Sequence, residues 1–419
     1  MKVLFLVRDL PWPPNSGARL RAHNLLMRMA HQHRITVLGY WPPGKELPPE
    51  ADLFEAAVPV PEPPRPGKLA FAAGLAANIA SPTPYAVAKH LSREMQKSIE
   101  KVVSLHCFDL VHCDSLPLAQ YALAVPHIPK VLDEHNVEAS IWRRHAKCQR
   151  STLKRLYAAL QASKMSRFEQ RVCPKFDCCV AVSELDAHVI RTQYGARNVL
   201  VVPNGVDTKL FTPSEAQTIP GRIVFTGSMD WLPNQDAVLY FAESIWPLVK
   251  RHLPHASFAV VGRRPPQAVE RLALQYGFNL VADAPDVRPH IAEAEVVVVP
   301  LRIGGGTRLK ILEALAMAKP VVSTTLGAEG LELVHGKHIL LADNPHDFAD
   351  RVCALLTDSD MRAQLSDNGR HFVVRRYDWD IAAQALEDAW QKAASPAVAQ
   401  RNGKIETGTN PANISVETS

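Results

Sequence analysis

Apolar, largely β-branched runs alternate with helical stretches along the first half of the chain. Six of these runs predict strands, at residues 3–7, 35–41, 108–114, 130–136, 178–183 and 199–203. Strands that alternate with helices are typical of a parallel sheet that helices cover on both faces. The first half is therefore predicted to be an α/β unit.

The same alternation starts again in the second half. Six further runs predict strands, at residues 222–228, 257–262, 278–283, 295–300, 320–325 and 338–343. Between the two series, prolines, an Asn-Gly pair and weak periodicity are typical of a linker. We therefore expect two Rossmann-like units, residues 1–203 and 222–377, joined by a linker at residues 204–221 and separated by a cleft.

Three segments do not follow this alternation. Residues 42–66 contain nine prolines and are predicted to form an extended surface loop. Residues 68–80 are apolar but too short to cross a bilayer, so they predict a covered or interfacial helix. Residues 395–419 are rich in Asn, Gly, Thr and Ser and are predicted to be a disordered tail.

Length and composition limit the class of protein. A chain of 419 residues exceeds one ordinary core and favours two domains. No apolar run reaches the ~20 residues of a membrane-spanning helix, and the apolar start is too short for a signal peptide, so we expect a cytoplasmic protein. Seven cysteines without zinc-ligand spacing predict reduced thiols, and we expect neither a metal nor a cofactor.

Positive charge is concentrated in residues 142–171, which carry nine Lys or Arg against Glu169 alone. This segment either attracts an anionic membrane surface or a lipid diphosphate, or consists of solvated helix faces. We favour peripheral contact with the inner face of the cell membrane. A nucleic-acid partner is not expected, because the segment lacks a matching aromatic or groove-reading motif.

A glycine-rich turn lies in the stretch RIGGGTRLKILEALAMAK, residues 302–319. Thr307 is the predicted N-cap of the helix that follows, which puts Arg308 and Lys310 in the first helical turn. Cations there oppose the helix dipole, but an anionic ligand would bring the dipole and both cations together. The pattern therefore predicts an anion-binding site.

The same stretch suggests which anion would bind. Gly305 and Gly306 would let the backbone approach a ligand at the carboxyl end of the preceding strand, where ligands bind in α/β sheets. Glu313 lies ~9 Å up the helix axis, which is about the span from a diphosphate to its ribose. The pattern favours a nucleoside diphosphate over the alternative, a flexible turn with a solvated Lys310–Glu313 pair.

Several phrases of the sequence occur together and in a fixed order. They are VAVSELD, PNGVDTKLF, VVGRRPP and the long stretch from Ala284 to Leu331. With this series the chain resembles retaining GT-B glycosyltransferases of the family-4 type. The resemblance implies two facing Rossmann-like domains, an NDP-sugar donor on the C-terminal one, and an acceptor on the N-terminal one. It also implies that a last helix, residues 378–394, crosses back to the first domain.

The resemblance implies roles for three further residues. Gly17 matches the glycine-containing loop that approaches the donor phosphate, and a plain turn is the alternative. Apart from the resemblance, Arg19 and Arg21, close to that loop, would face phosphate or solvent. His135 matches the histidine that touches the donor sugar. Arg288 lies in the loop where the backbone of family members reads the base, and its alternatives are to cap or to bridge.

The chain departs from the family pattern at the phosphate clamp. An Arg and a Lys usually follow the first strand of the second domain. In the loop that begins at Gly227, this chain has Ser228 and Asn234 instead. We expect these residues to line the donor site and Arg308 and Lys310 to supply the missing charge.

A second departure concerns a pair of glutamates eight positions apart. Glu313 matches the second glutamate, but the first position is Gly305, so the carboxylate usually placed near the donor sugar is missing.

The resemblance implies retaining, metal-independent glycosyl transfer. Catalysis would come from Arg308, Lys310 and His135, and the acceptor would be a glycan or a polyprenyl-diphosphate-linked glycan in bacterial surface polysaccharide assembly. Two alternatives stay open: a GT-B nucleotide-sugar epimerase and a noncatalytic sugar-nucleotide-binding protein.

Overall fold

The first half of the chain forms one seven-stranded sheet in which neighbouring strands are parallel. The computed structural model describes residues 1–63, 67–149, 151–214 and 217–395. The strand order is β3-β2-β1-β4-β5-β6-β7. The strands are β1 (Lys2–Asp9), β2 (Arg34–Trp41), β3 (Ala56–Pro61), β4 (Leu110–Cys113), β5 (Lys130–Glu134), β6 (Cys178–Ala181) and β7 (Val199–Val201).

Helices connect these strands and cover the sheet. They are α1 (Gly17–Met29), α2 (Lys68–Ala80), α3 (Tyr85–Ala88), α4 (Arg93–Leu105), α5 (Ala119–Ala124), α6 (Glu138–Cys148), α7 (Thr152–Val172) and α8 (Glu184–Thr192). Two apolar clusters, one containing Leu4 and Leu6 and the other Val3 and Phe5, pack on opposite faces of β1. A strand that is buried on both faces has a continuous apolar sequence, which is why this run was recognisable.

The second half forms a six-stranded parallel sheet with the order β10-β9-β8-β11-β12-β13. Its strands are β8 (Arg222–Thr226), β9 (Ser257–Gly262), β10 (Asn279–Ala282), β11 (Val296–Val299), β12 (Val321–Ser323) and β13 (Leu340–Leu341). Its helices are α9 (Leu232–Tyr240), α10 (Trp246–His252), α11 (Gln267–Tyr276), α12 (Arg288–Ala292), α13 (Leu309–Ala316), α14 (Pro345–Thr357) and α15 (Ser359–Arg376). The predicted α/β architecture with two parallel sheets is confirmed.

The prediction of a surface loop over residues 42–66 was wrong in part. Residues Ala56–Pro61 form β3, which pairs with β2 and lies at the edge of the first sheet. Proline lacks the backbone N–H that pairs with a neighbouring strand. A central strand has a neighbour on both sides, whereas the N–H groups on the outer side of an edge strand have no partner strand. Pro59 and Pro61 are therefore compatible with this strand.

The last described helix, α16 (Trp379–Ala394), packs against α1 and against strands of the first sheet. Trp379 and Trp390 are fully buried within the apolar cluster of that sheet. The chain thus passes between the two units twice, and Val206 N–H donates to Tyr377 O over 2.7 Å where the two passages meet.

None of the helices that the structure describes is both long enough and apolar enough to cross a membrane. The predicted tail lies outside the described residues, apart from Ser395.

Candidate functional site

Four predicted site residues meet where β8 ends, namely Gly227, Ser228, Asn234 and Lys310. Lys310 Nζ, near the start of α13, donates to Asn234 Oδ1 over 2.9 Å and lies 4.0 Å from the centre of the Phe225 ring. A Cβ at Gly227 would lie 2.7 Å from both Lys310 Nζ and Asn234 Nδ2. Asn234 Nδ2 in turn donates to Ser228 O over 2.8 Å. Glycine at position 227 therefore allows the ammonium and the amide to approach the strand end.

The ionisable groups of α13 are strongly affected by their surroundings. Burial lowers the pKa of Lys310 to about 7, with the positive charge of Arg308 acting in the same direction. Burial also raises the pKa of Glu313 to about 7, although Lys310 opposes that change. A cation and a carboxyl group with pKa values near neutrality are typical of functional sites.

Arg308 precedes the helix, whereas the sequence predicted it in the first helical turn. The helix begins at Leu309, so Thr307 is not its N-cap; Arg308 occupies that position with extended backbone and no side-chain capping bond. The guanidinium turns back onto the glycine loop, the turn formed by residues 304–306. There its NH1 donates to the carbonyls of Gly305 and Gly306. These bonds hold the loop against the helix start in place of a conventional cap.

Part of the Arg308 guanidinium, which lies 5.9 Å from the centre of the Trp231 ring, makes no hydrogen bond to the protein. Its side chain is buried, with 4% of the residue exposed, yet Nε and NH2 make no hydrogen bond. Burial lowers the pKa of Arg308 to about 10. A buried guanidinium with two unused donor atoms can bind an anion at little further desolvation cost.

The glycine loop lies directly against the first unit. A Cβ at Gly305 would lie 2.6 Å from Ile141 Cγ1, and a Cβ at Gly306 would lie 2.2 Å from Asn136 Oδ1. Gly306 also has φ +71°, in the left-handed region that glycine adopts readily. A side chain at position 305, such as the glutamate that the family resemblance implies, would therefore require the Ile141 side chain to shift.

Arg144 of α6 ties the same loop to the first unit. Its NH1 donates to Gly304 O over 2.9 Å, and its guanidinium binds both carboxylate oxygens of Glu329 at 2.5 and 2.8 Å. Sequence reasoning missed both side chains. Arg144 lies within the basic segment, but nothing in the local pattern connects it with a glutamate 185 positions later.

Thr307 faces the linker rather than an open cleft. Asn204 Nδ2 donates to Thr307 Oγ1 over 2.7 Å, and Asn204 Oδ1 accepts from Arg21 NH1 over 3.0 Å. Arg21 is only 1% exposed and pairs with Asp133 at 2.9 Å. The expectation that Arg21 faces phosphate or solvent was therefore wrong, because the Asp133 carboxylate and linker oxygens take up its guanidinium.

His135 follows β5 on the other side of the cleft. Its Nε2 lies 3.3 Å from Asp114 Oδ1. Burial acts to lower the pKa of His135, but the charge and hydrogen bond of Asp114, together with the charge of Asp133, raise it above its ordinary value. The ring is thus placed to orient or shield negative charge.

A buried group near His135 has the composition of a metal site. His112, Asp114 and Asp133 each offer a ligand atom within 4.8 Å of the others. Trp390 Nε1 donates to His112 Nδ1 over 3.1 Å, so the neutral ring keeps its hydrogen on Nε2, which then cannot bind a metal. Asp114 pairs with His135, and Asp133 pairs with Arg21. We interpret the three residues as separate partners of Trp390, His135 and Arg21 rather than as metal ligands.

Among the described residues, Gly17 and Arg288 have no hydrogen bond or ion pair to Lys310, Asn234 or Ser228. Gly17 begins α1, and a Cβ there would meet nothing within 4 Å. Arg288 pairs with Asp286 at 2.7 Å and donates to Leu210 O over 3.4 Å, which favours the bridging interpretation.

A cavity of about 100 Å³ lies between the two units beside the glycine loop. It is lined by α6, by the start of α8 and by the loop itself, including Asn136, Arg144, Ser183, Asp186, Gly306 and Glu329. Two parallel α/β sheets that face each other across a cleft, with a cationic loop-to-helix site on the second, define the GT-B class of glycosyltransferase.

Comparison with known families agrees with this class. The family model Glycosyltransferase Family 4 matches residues 15–210, and the model Glycosyl transferases group 1 matches residues 220–358. The two matches together take in most of the chain, which belongs to the GT-B glycosyltransferases of the family-4 type.

Individual relatives match this chain over only part of its length. A D-inositol 3-phosphate glycosyltransferase of Xylanimonas cellulosilytica is 30% identical over 54% of this chain and 59% of the relative. The matching segment thus spans less than two thirds of that relative.

Solved structures share the fold. HepE of Anabaena, in complex with UDP and glucose, superposes with TM-score 0.63 at 15% identity, covering 93% of this chain and 98% of HepE. Sucrose-phosphate synthase of Thermosynechococcus elongatus superposes with TM-score 0.71 at 16% identity, covering 94% and 100%.

Proposed function

We propose that the protein transfers a sugar from an NDP-sugar to a hydroxyl of a glycan or polyprenyl-diphosphate-linked glycan, with retention at the anomeric carbon. The observation that carries this proposal is the buried Arg308 guanidinium with two unpaired donor atoms beside Lys310 and Asn234. Such a group fits a diphosphate that gains negative charge as it leaves.

The reaction follows from this arrangement. The bond between the anomeric carbon and the diphosphate oxygen breaks, and the acceptor oxygen forms a new bond on the same face. The acceptor proton passes to the departing phosphate oxygen. Arg308, Lys310 and the start of α13 stabilise the charge on the leaving group, so a metal ion is not required in this scheme.

The remaining residues bind and orient the donor. Glu313 would accept hydrogen bonds from the ribose diol, as acidic residues do in other nucleotide-binding folds. His135, held by Asp114, would contact the sugar. Family relationship supports a role in bacterial surface polysaccharide assembly at the inner face of the cell membrane.

A donor screen tests the proposal. The full chain is incubated with UDP-, GDP- and ADP-sugars, and mass spectrometry detects slow hydrolysis while calorimetry measures binding. We expect one nucleotide class to bind and to be hydrolysed slowly. If none of these donors bound, the assignment of the α13 site would be wrong.

Two other functions give different outcomes in the same screen. A nucleotide-sugar epimerase would convert its donor into an isomer without an acceptor. A noncatalytic sugar-nucleotide-binding protein would bind a donor but neither hydrolyse it nor transfer its sugar to any acceptor tested. The packing of Gly305 against Ile141, where the family has a carboxylate, favours this noncatalytic protein as the second candidate.

A further inference from the structure

Helix α2 exposes an apolar face that the rest of the described chain does not cover. Leu69 is 88% exposed and Ile79 56% exposed. The residues between them on the same side of the helix, Ala72 and Ala76, are exposed as well. After Lys68 the helix has no charged residue. An exposed apolar surface of this kind marks an interaction site.

The helix is nevertheless held firmly on its other side. Asn78 is 6% exposed; its Nδ2 donates to Thr83 O and its Oδ1 accepts from Gln161 Nε2, each over 2.9 Å. Lys164 Nζ donates to the carbonyls of Asn78 and Ile79, at the carboxyl end of α2. The exposed apolar face thus belongs to an ordered helix that is fixed to α7.

Helix α7, which contacts the carboxyl end of α2, has an exposed face of a different composition. Leu153 and Leu156 are 80% and 61% exposed. Arg167 and Arg171 lie 14 and 18 residues after Leu153, which places all four on one face of the helix at 100° per residue. The face is therefore apolar at the start of α7 and cationic near its end.

A groove joins the two helices. It has a volume of about 400 Å³ and is lined by Ile79 and Ala80 of α2 and by Leu160, Arg167 and Arg171 of α7. No salt bridge pairs either arginine with a described carboxylate, and Arg171 lies over the Phe168 ring instead. Glu169, the acidic residue of α7, is buried.

We propose that α2 and this face of α7 form a membrane-docking surface for anionic phospholipid. Leu69, Ile79, Leu153 and Leu156 would enter the acyl boundary, and Arg167 and Arg171 would bind lipid phosphate in the groove. Exposed apolar side chains with cations on the same helix face match a negatively charged bilayer in both properties. The inference deepens the proposed function, on which it rests for the lipid-linked acceptor, by naming the surface that brings the cleft to the membrane.

Sedimentation with vesicles tests the proposal without any donor. The full chain is mixed with vesicles of phosphatidylglycerol and phosphatidylcholine, or of phosphatidylcholine alone. We expect binding to the anionic vesicles, at least about tenfold weaker binding to the neutral ones, and a clear loss in high salt.

Matched variants locate the surface. Leu69→Glu combined with Ile79→Glu should weaken vesicle binding at least about tenfold. Leu274→Glu, on an 86% exposed leucine of α11, should leave it unchanged. Arg167→Glu combined with Arg171→Glu should also weaken binding at least about tenfold, whereas Arg251→Glu, an exposed cation of α10, should not.

Other results would overturn the proposal. Equal binding to both vesicle types, or normal binding by the α2 variant, would exclude this surface. A chain that is a dimer by light scattering and becomes a monomer on Leu69→Glu would show that a second copy covers α2. Vesicle binding gained only on deletion of residues 396–419 would show that the tail covers it. Calorimetric binding of the donor in the α2 variant shows separately whether the proposed function holds.

Discussion

Lys310 and Glu313 lie three residues apart on α13, and burial moves their pKa values towards each other. In free protein each therefore titrates near pH 7, although their ordinary pKa values are far apart. Under the proposed function, donor binding would need Lys310 charged to hold phosphate and Glu313 ionised to accept hydrogen bonds from ribose. Charged Lys310 requires a pH below about 7, whereas ionised Glu313 requires a pH above about 7.

We expect donor affinity to be highest near pH 7. As pH falls through about 7, Glu313 gains a proton and loses acceptor capacity; as pH rises through about 7, Lys310 loses its charge. Each limb should weaken affinity by up to about tenfold per pH unit. Calorimetry from pH 5.5 to about 8.5 measures this profile.

Two variants assign the limbs. Glu313→Gln should remove the acidic limb while Lys310→Met removes the alkaline one, and both should bind donor more weakly at pH 7. A profile with the same two limbs in both variants would show that other groups control binding.

Arg308 is the residue from which we expect the largest kinetic effect. Arg308→Ala removes the buried guanidinium, so kcat should fall about 100-fold while donor affinity changes less. Steady-state kinetics with the donor found in the screen separates kcat from KM. A loss of affinity equal to the loss of kcat would mean that Arg308 binds the ground state and the transition state equally.

At the scale of elements, the glycine loop and α6 form a direct contact between the two units. The Arg144–Glu329 pair is about one-third exposed on each side, so it contributes at most ~1 kcal/mol. Gly305 lies close to Ile141 because glycine has no Cβ. We therefore expect the space beside Gly305 to affect the stability of this contact more than the Arg144–Glu329 ion pair does.

Gly305→Ala should weaken the contact between the units. The added Cβ would lie 2.6 Å from Ile141 Cγ1, and such overpacking costs about 1–3 kcal/mol. Small-angle X-ray scattering should detect a larger radius of gyration. Ile141→Ala in the same chain should reverse the change, because it removes the atom that collides.

Gly17→Ala is the matched control for this experiment. Its Cβ would meet nothing within 4 Å, so the radius of gyration should not change. Expansion in both glycine variants, or no expansion in Gly305→Ala, would contradict the role assigned to the contact.

At the scale of the whole molecule, Arg21 connects the first sheet with the linker. It pairs with Asp133 and donates to Pro203 O and Asn204 Oδ1. Asn204 then contacts Thr307 beside the site. This chain of bonds links the core of one unit to the glycine loop of the other.

Arg21→Met should lower the free energy of unfolding by about 3–5 kcal/mol, because it leaves the Asp133 carboxylate buried without its cation. Urea unfolding measures this change. Adding Asp133→Asn should recover part of the loss. Arg19→Met is the control: Arg19 is partly exposed and lies 3.9 Å from Asp9, so the change should stay below about 1 kcal/mol. Equal losses in the two single variants would contradict the structural role of Arg21.

The sequence by itself determined the two α/β units and the place of the glycine-rich turn before α13. Runs such as Val296–Val299 are apolar because parallel strands are buried on both faces, and this property is written in consecutive residues. The position of the turn after such a strand also follows from order along the chain. β3 was missed because its prolines imitate a loop, and only pairing with β2 makes it a strand.

Only the tertiary structure decided which side chains meet. Arg21 lies 112 residues from Asp133 and Arg144 lies 185 from Glu329, so no local period could connect them. Likewise, Ile141 limits the space beside Gly305, and one face of α2 is exposed because no other described segment packs on it. Burial and partner choice are properties of distant segments brought together, and these properties set the charge, the fit and the accessibility of the site.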